Sequence, residues 1–259
     1  MSGIYSEIAK KSFLNCLAYR ANVFMGILNT CISMIVSLSV WKALYGTTGA
    51  DFSATATSLI LGIGMSSALQ TDDFFVSTKI RTGSIAMDLL KPMSFQAYVL
   101  AHNLGRMTYR LTVEFAPTLI LSSILFGILP PVSLTALSMF LVSICLGFMV
   151  LYGLGYILSL ISFWYFNIWS FVTFKNALVA VLAGTFIPYW LMPEWLSRFA
   201  SVTPFDSIFS IPIGLYLGKI PIAYAGGSLV KQAAWALALW AAGRALWRLG
   251  HRRLTIQGG

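Results

Sequence analysis

Apolar residues in this 259-residue chain fall into long charge-free runs. A helix needs about 20 apolar residues to cross the hydrocarbon of a bilayer, so each run is a candidate span. Ala21 to Trp41 is the first, bounded by Arg20 and Lys42. Phe52 to Thr71, between Asp51 and Asp72, is the second, with the flexible stretch LGIGMSSAL inside it. A third begins near Leu111 and ends at Pro130 and Pro131, a pair that cannot continue a helix.

Between Val132 and Phe174 there is no charge, which leaves room for one long helix and an interfacial piece, or for two helices. Basic residues decide between them, because Lys and Arg collect on the cytoplasmic side. The tail GRALWRLGHRRL and the segment holding Lys10, Lys11 and Arg20 are both basic, so both termini are expected inside and the number of crossings even. Ser133 to about Phe163 is then the fourth span and FWYFNIWSFVTFK a cytoplasmic aromatic-belt turn. Asn176 to about Trp190 becomes the fifth. The sixth runs from about Gly227 to Leu246, with Lys231 and Arg244 near ends where long stems snorkel. Of the 17 basic residues, only Lys42, Arg198, Lys219 and Lys231 lie outside in this arrangement.

Two segments fit no span. Residues 1–20 mix Ile4, Ile8, Phe13, Leu14 and Leu17 with Glu7, Lys10, Lys11 and Arg20, the pattern of an interfacial helix. Residues 188–221 are apolar but broken by Pro188, Pro193, Pro204, Pro212 and Pro221, which predicts short re-entrant or interfacial helices on the outer side.

Composition agrees with this reading. The chain is 58% hydrophobic and 10% charged, whereas a soluble domain is about a quarter charged. Basic residues outnumber acidic ones 17 to 8, but they sit beside apolar runs as orientation signals, so no nucleic acid is expected as a partner. The start lacks a compact apolar core with a small-residue cleavage site, and no removable leader is expected. Cys16, Cys31 and Cys145 are isolated and suggest neither a metal site nor a disulfide framework.

Catalytic signatures are missing. Gly218 and Lys219 lack the spacing of a phosphate loop, and His102 and His251 have no metal-ligand or paired-carboxylate context. No catalytic residue and no metal are therefore expected on this chain. Glu114 is the one acidic residue placed deep in a span, either paired with Arg110 at (i, i+4) or serving as counter-charge to a cationic substrate.

The stretch TKIRTGSIAMDLLKP, Thr78 to Pro92, is charged and sharply terminated in a chain otherwise poor in charge. Gly83 is a natural helix stop, and SIAMDLLKP makes a second short amphipathic turn ended by Pro92. Ile80, Ile85, Met87, Leu89 and Leu90 are too apolar for a free loop and suit a helix docked in the groove of another protein.

KIRTGSIAMDLLKPMSFQAYVLAHNLGR resembles the loop between the second and third spans of type-2 ABC exporter permeases. AGTFIPYWLMPEWLSRFASVTPFDSIFSIPIGLYLGK is similar to their Pro-rich segment after the fifth span. GRALWRLGHRRLTIQGG resembles the Arg-rich tail of the viologen-exporter branch, so the resemblance covers nearly the whole chain.

It implies an all-α integral membrane protein of six transmembrane helices, one permease domain over 1–259. Its parts would be an N-terminal interfacial helix, a cytoplasmic coupling loop over 71–110 and outer re-entrant helices over 188–221. ATPase coupling is expected of Lys79, Ile80, Arg81, Gly83, Asp88, Leu89, Leu90 and Pro92. Pathway or gate roles are expected of Glu114, Trp190, Met192 and Trp195, with Glu194 and Arg198 one turn apart on the wet face. The implied partners are membrane lipid, two copies of a separate ABC ATPase carrying ATP and Mg, and a second permease, similar but different or an identical copy. The implied location is the bacterial inner membrane. A secondary transporter would instead show mid-span ionisable residues or an inverted repeat. A membrane scaffold would dock a partner without a nucleotide site through the same loop.

Overall fold

The computed structural model describes residues 2–18, 20–46 and 52–253, and every regular element there is helical. The tail beyond Arg253 and Asp51, the expected edge of the second span, lie outside the described residues. Helix α1 (Ser2–Ala18) is followed by α2 (Arg20–Tyr45) and α3 (Ser53–Ala68). Two short helices, α4 (Phe75–Arg81) and α5 (Ile85–Leu89), lead into α6 (Phe95–Tyr109). A π-helical turn, Arg110–Phe115, joins α6 to α7 (Ala116–Phe126) in one rod. Then come α8 (Leu134–Leu160), α9 (Trp169–Leu182), α10 (Glu194–Val202), α11 (Ser210–Tyr216) and α12 (Ile222–Gly250).

Among the described residues, three helices are long and apolar enough to cross a membrane: Phe24–Tyr45, Phe95–Phe126 and Leu134–Phe163. The other three expected spans differ in kind. Helices α3 and α9 have only 16 and 14 residues, and α12, at 29 residues, carries Lys231, Gln232 and Arg244.

Three boundaries depart from the sequence reading. The helix of the third expected span starts at Phe95 rather than near Leu111, because Ser94 caps it by accepting a hydrogen bond from the Ala97 amide. Much of the expected 71–110 loop is therefore helix. The aromatic turn after α8 is confined to about Trp164 to Ile168, and α9 begins at Trp169, seven residues before Asn176. It also stops early. Leu182 is its last residue, and the chain reverses through Gly184 at φ +80° well before Trp190.

Helix α8 forms the centre. Its Phe148, Leu151, Tyr152, Tyr156 and Leu160 pack with Met65 of α3 and Leu69 just after it, Val99 of α6, and Ile208 and Ile213 around α11. A second cluster joins Met34 and Leu38 of α2 to Leu59, Ile60 and Ile63 of α3. The opposite face of α2 exposes Phe24, Ile32, Val36 and Val40, an apolar row suited to lipid.

Helix α1 runs beside α6 in the same direction. The Tyr5 hydroxyl accepts from the Ser94 amide at 3.1 Å, Ser12 bonds to His102 Nδ1 at 2.9 Å, and Phe13 meets Tyr109 edge to face. Gly105 permits this approach, since a Cβ there would fall 2.1 Å from the Ala9 carbonyl oxygen.

Candidate functional site

Helix α4 ends where Gly83 adopts φ +70°, its amide donating to the Ile80 carbonyl at 3.1 Å. That left-handed turn is open to glycine at no steric cost, and it folds α5 back beside α4. Asp88 then lies buried between two cations, Lys79 Nζ at 2.5 Å and Lys91 Nζ at 2.7 Å. Burial works to raise the Asp88 carboxyl, but the hydrogen bonds and charges of Lys79 and Lys91 outweigh it and hold the group below its ordinary range. Lys79 also sits over the rings of Phe75 and Tyr98, at 5.0 and 5.3 Å from their centroids.

The clamp sorts the hairpin into two faces. Ile85 enters the core and Ile80 packs against it, while Met87, Leu89 and Leu90 face out, Leu90 at 80% exposure. Pro92 and Lys91 are exposed beside them. Arg81 is also exposed, its guanidinium 4.5 Å from the Phe166 ring centroid. The result is an apolar tip with a basic rim. Of the eight residues expected to couple, Leu89, Leu90 and Pro92 belong to that tip and Arg81 to the rim. Lys79, Asp88, Ile80 and Gly83 hold its shape. Met87 joins the tip, as its apolar character in the sequence suggested.

Two consecutive aspartates root this hairpin, and sequence reasoning used only Asp72, as a span boundary. The Asp72 amide donates to Asn103 Oδ1 at 2.7 Å, and its carboxylate lies 3.4 Å from His102 Nε2 and 3.5 Å from Arg106 Nη1. Asp73 turns the other way: it accepts from Thr71 Oγ1 at 2.7 Å and from Lys175 Nζ of α9 at 2.5 Å. Gly155 of α8 leaves the room, since a Cβ there would fall 2.2 Å from Asp73 Oδ1. A doubled acid in a chain with 8 acidic residues was the available signal.

Glu114 lies within the π-helical turn. It makes no salt-bridge contact with Arg110 among the described residues, although the two charges still attract one another across the turn. Arg110 Nη1 donates instead to Gln70 Oε1 at 2.6 Å and the Ser67 carbonyl at 3.1 Å. The cause is the wider π turn, bonded i to i+5, in which a residue four positions on no longer sits above the first. The Glu114 carboxyl group lies beside Gly26 of α2.

The outer residues have different surroundings in this chain. Met192 is buried, Trp190 lies under Lys219 with Nζ 5.3 Å from its ring centroid, and Trp195 is 71% exposed. Glu194 and Arg198 pair at 2.6 Å in the open, as their spacing predicts. Lys231 does not snorkel: it bonds Asp206 at 2.5 Å. Next to it buried Gln232 accepts from Ser143 Oγ and donates to the Ser207 carbonyl, tying α12 to α8 and to the turn before α11.

The family model described as ABC-2 family transporter protein matches residues 31–258. The chain belongs to this ABC-2 transporter family. No curated protein and no solved structure gives a significant match. As an ABC-2 membrane protein, the chain is a permease component of an ABC transporter, a class that associates with an ABC ATPase. The matched stretch takes in the hairpin, the aspartate pair and the outer helices, and leaves all of α1 and the first part of α2 to its N-terminal side.

Proposed function

We propose that this ABC-2 permease is one half of the membrane pathway of an ATP-driven exporter, and that the tip of Met87, Leu89, Leu90 and Pro92 is its coupling surface for the ATPase. The observation that carries the proposal is the hairpin itself. Its inner face is fixed by Asp88, Lys79 and Lys91, its outer face is apolar, and its root is bonded through Asp72 and Asp73 to α6 and α9. A push on the tip would reach the membrane helices through those bonds.

The full assembly in this reading contains two permeases, the second a similar chain or an identical copy, and two ATPases that supply ATP and Mg chemistry. This chain hydrolyses nothing. Six crossings, with α3, α9 and α12 completing the three long apolar helices, put both termini on the cytoplasmic side of a bacterial inner membrane, in accord with the distribution of Lys and Arg. The Arg-rich tail supports a viologen-exporter-like branch. Glu114 is the acidic group offered to a pathway between permeases, and the segment of α10 and α11 covers its outer end.

The experiment is co-purification of the tagged full chain, followed by ATPase assay of whatever is retained. A bound ATPase whose retention is abolished by Leu90→Asp supports the proposal. A retained partner without a nucleotide site would make the chain a scaffold instead. Labelling of a cysteine placed at Ser84 from outside intact cells would overturn the orientation.

A further inference from the structure

Beside the tip, a cavity of about 360 Å³ lies between α5, the start of α6 and the end of α12. Leu89 lines it and is also part of the tip. Met93, Phe95 and Trp247 supply apolar wall, with Trp247 stacked on Phe95 at 4.3 Å between ring centroids. Gln96 fastens that wall to the bundle: its Nε2 donates to the Trp240 carbonyl at 3.0 Å, and its own backbone carbonyl accepts from the Tyr152 hydroxyl at 2.7 Å. The cavity is thus built into the fold of the single chain.

Arg244 and Arg248, one turn apart on α12, line this same cavity and are exposed. Neither makes an ion pair among the described residues, whereas Arg106, Lys175, Arg198 and Lys231 are each matched to an acid. The acid that does line the cavity, Asp88, is already held by Lys79 and Lys91. The cavity therefore carries two uncompensated positive charges. Orientation in a membrane asks only for basic residues on the cytoplasmic side, and not for two arginines in one preformed cavity.

Guanidinium groups bind carboxylates through paired, planar hydrogen bonds, and the apolar wall suits the methylene stem of an acidic side chain. Leu89 decides where that side chain comes from. A protein that covers Leu89 and Leu90 covers the mouth of the cavity too, so its surface meets Arg244 and Arg248.

We propose that the ATPase engaging the tip places an acidic side chain, Asp or Glu, in this cavity, where Arg244 and Arg248 hold its carboxylate. This contact rests on the reading of the tip as the coupling surface and adds the chemistry of the partner: an apolar groove with a carboxylate beside it. The apolar tip gives adhesion, and the charge fixes the orientation in which the two proteins meet.

The test uses the tagged full chain and the ATPase that co-purifies with it. Arg244→Gln combined with Arg248→Gln should weaken ATPase retention about tenfold and flatten its dependence on KCl, because the attraction removed is one that salt screens. Lys10→Gln with Lys11→Gln removes the same charge from exposed positions of α1 and should leave retention within about twofold. In Arg248→Lys, a carbodiimide that joins amines to carboxylates should link the introduced amine to an Asp or Glu of the ATPase. Retention that is lost in Leu90→Asp but unchanged in the double arginine variant would overturn the acidic contact and leave the tip reading standing. A wild-type chain that retains no ATPase would overturn both. Loss of bound phosphatidylglycerol from the double arginine variant in native mass spectrometry, with ATPase retention intact, would identify a lipid headgroup site and overturn the protein contact.

Discussion

Asp73 and Lys175, 102 positions apart, meet at 2.5 Å with both side chains nearly inaccessible. The pair pins the root of the α4–α5 hairpin to α9, against the backbone of α8 at Gly155. Each charge is tolerable there because the other is present, and Thr71 supplies a further bond to the carboxylate.

Removing one partner should therefore be worse than removing both. Asp73→Asn or Lys175→Met is expected to destabilise the chain by about 3–5 kcal/mol, and the double variant by clearly less than the sum of the two. Thermal unfolding of the four forms in detergent gives the answer. Additive losses would show that the two groups do not act as a pair.

The tip should behave as surface until a partner is added. Leu90 is 80% exposed, so Leu90→Asp is expected to shift stability by no more than about 0.5 kcal/mol while abolishing ATPase retention. Val76→Asp, at a buried position of α4, serves as the contrast and should reduce folded yield first. Full ATPase retention by a folded Leu90→Asp chain would remove the tip from the coupling surface.

Acid should loosen the hairpin. The Asp88 carboxyl is held below its ordinary value in the folded chain, so its pairing contributes stability that is complete above about pH 4 and is lost as pH falls through the lowered folded value. Amide exchange of residues 85–90 is expected to speed up over that acid range, and Asp88→Asn should show fast exchange already at neutral pH. An exchange rate independent of pH after correction for intrinsic chemistry would contradict this.

Glu114 and Arg110 attract one another without a salt-bridge contact, and Arg110 is bonded to Gln70 and Ser67, so their coupling should be modest. Glu114→Gln combined with Arg110→Gln is expected to give a coupling below about 0.5 kcal/mol in a double-mutant cycle. Coupling of more than about 1 kcal/mol would restore the local pair. Transport by Glu114→Gln, measured alongside, should fall for cationic substrates and hold for neutral ones.

Local chemistry in the sequence determined a good deal here. Charge-free runs make helices and a membrane class, Gly83 and Pro92 bound a short amphipathic turn, and Glu194 and Arg198 pair, because each follows from neighbours within a turn or two. Tertiary structure decided the rest. Nothing near Asp73 indicates that its partner is Lys175, and nothing near Lys231 points to Asp206; packing around α8 and α12 selects those pairs from many possible ones. The Arg110 and Glu114 spacing gives attraction without a salt-bridge contact, because a π turn changes the periodicity on which the rule depends. The Ser94 cap and the early start of α9 moved helix ends, since apolar runs mark where a membrane allows helix and not where hydrogen bonding begins it. The cavity beside Leu89 exists only because the end of α12 comes to lie by α5 and the start of α6, a relationship of surfaces that no single stretch of sequence contains.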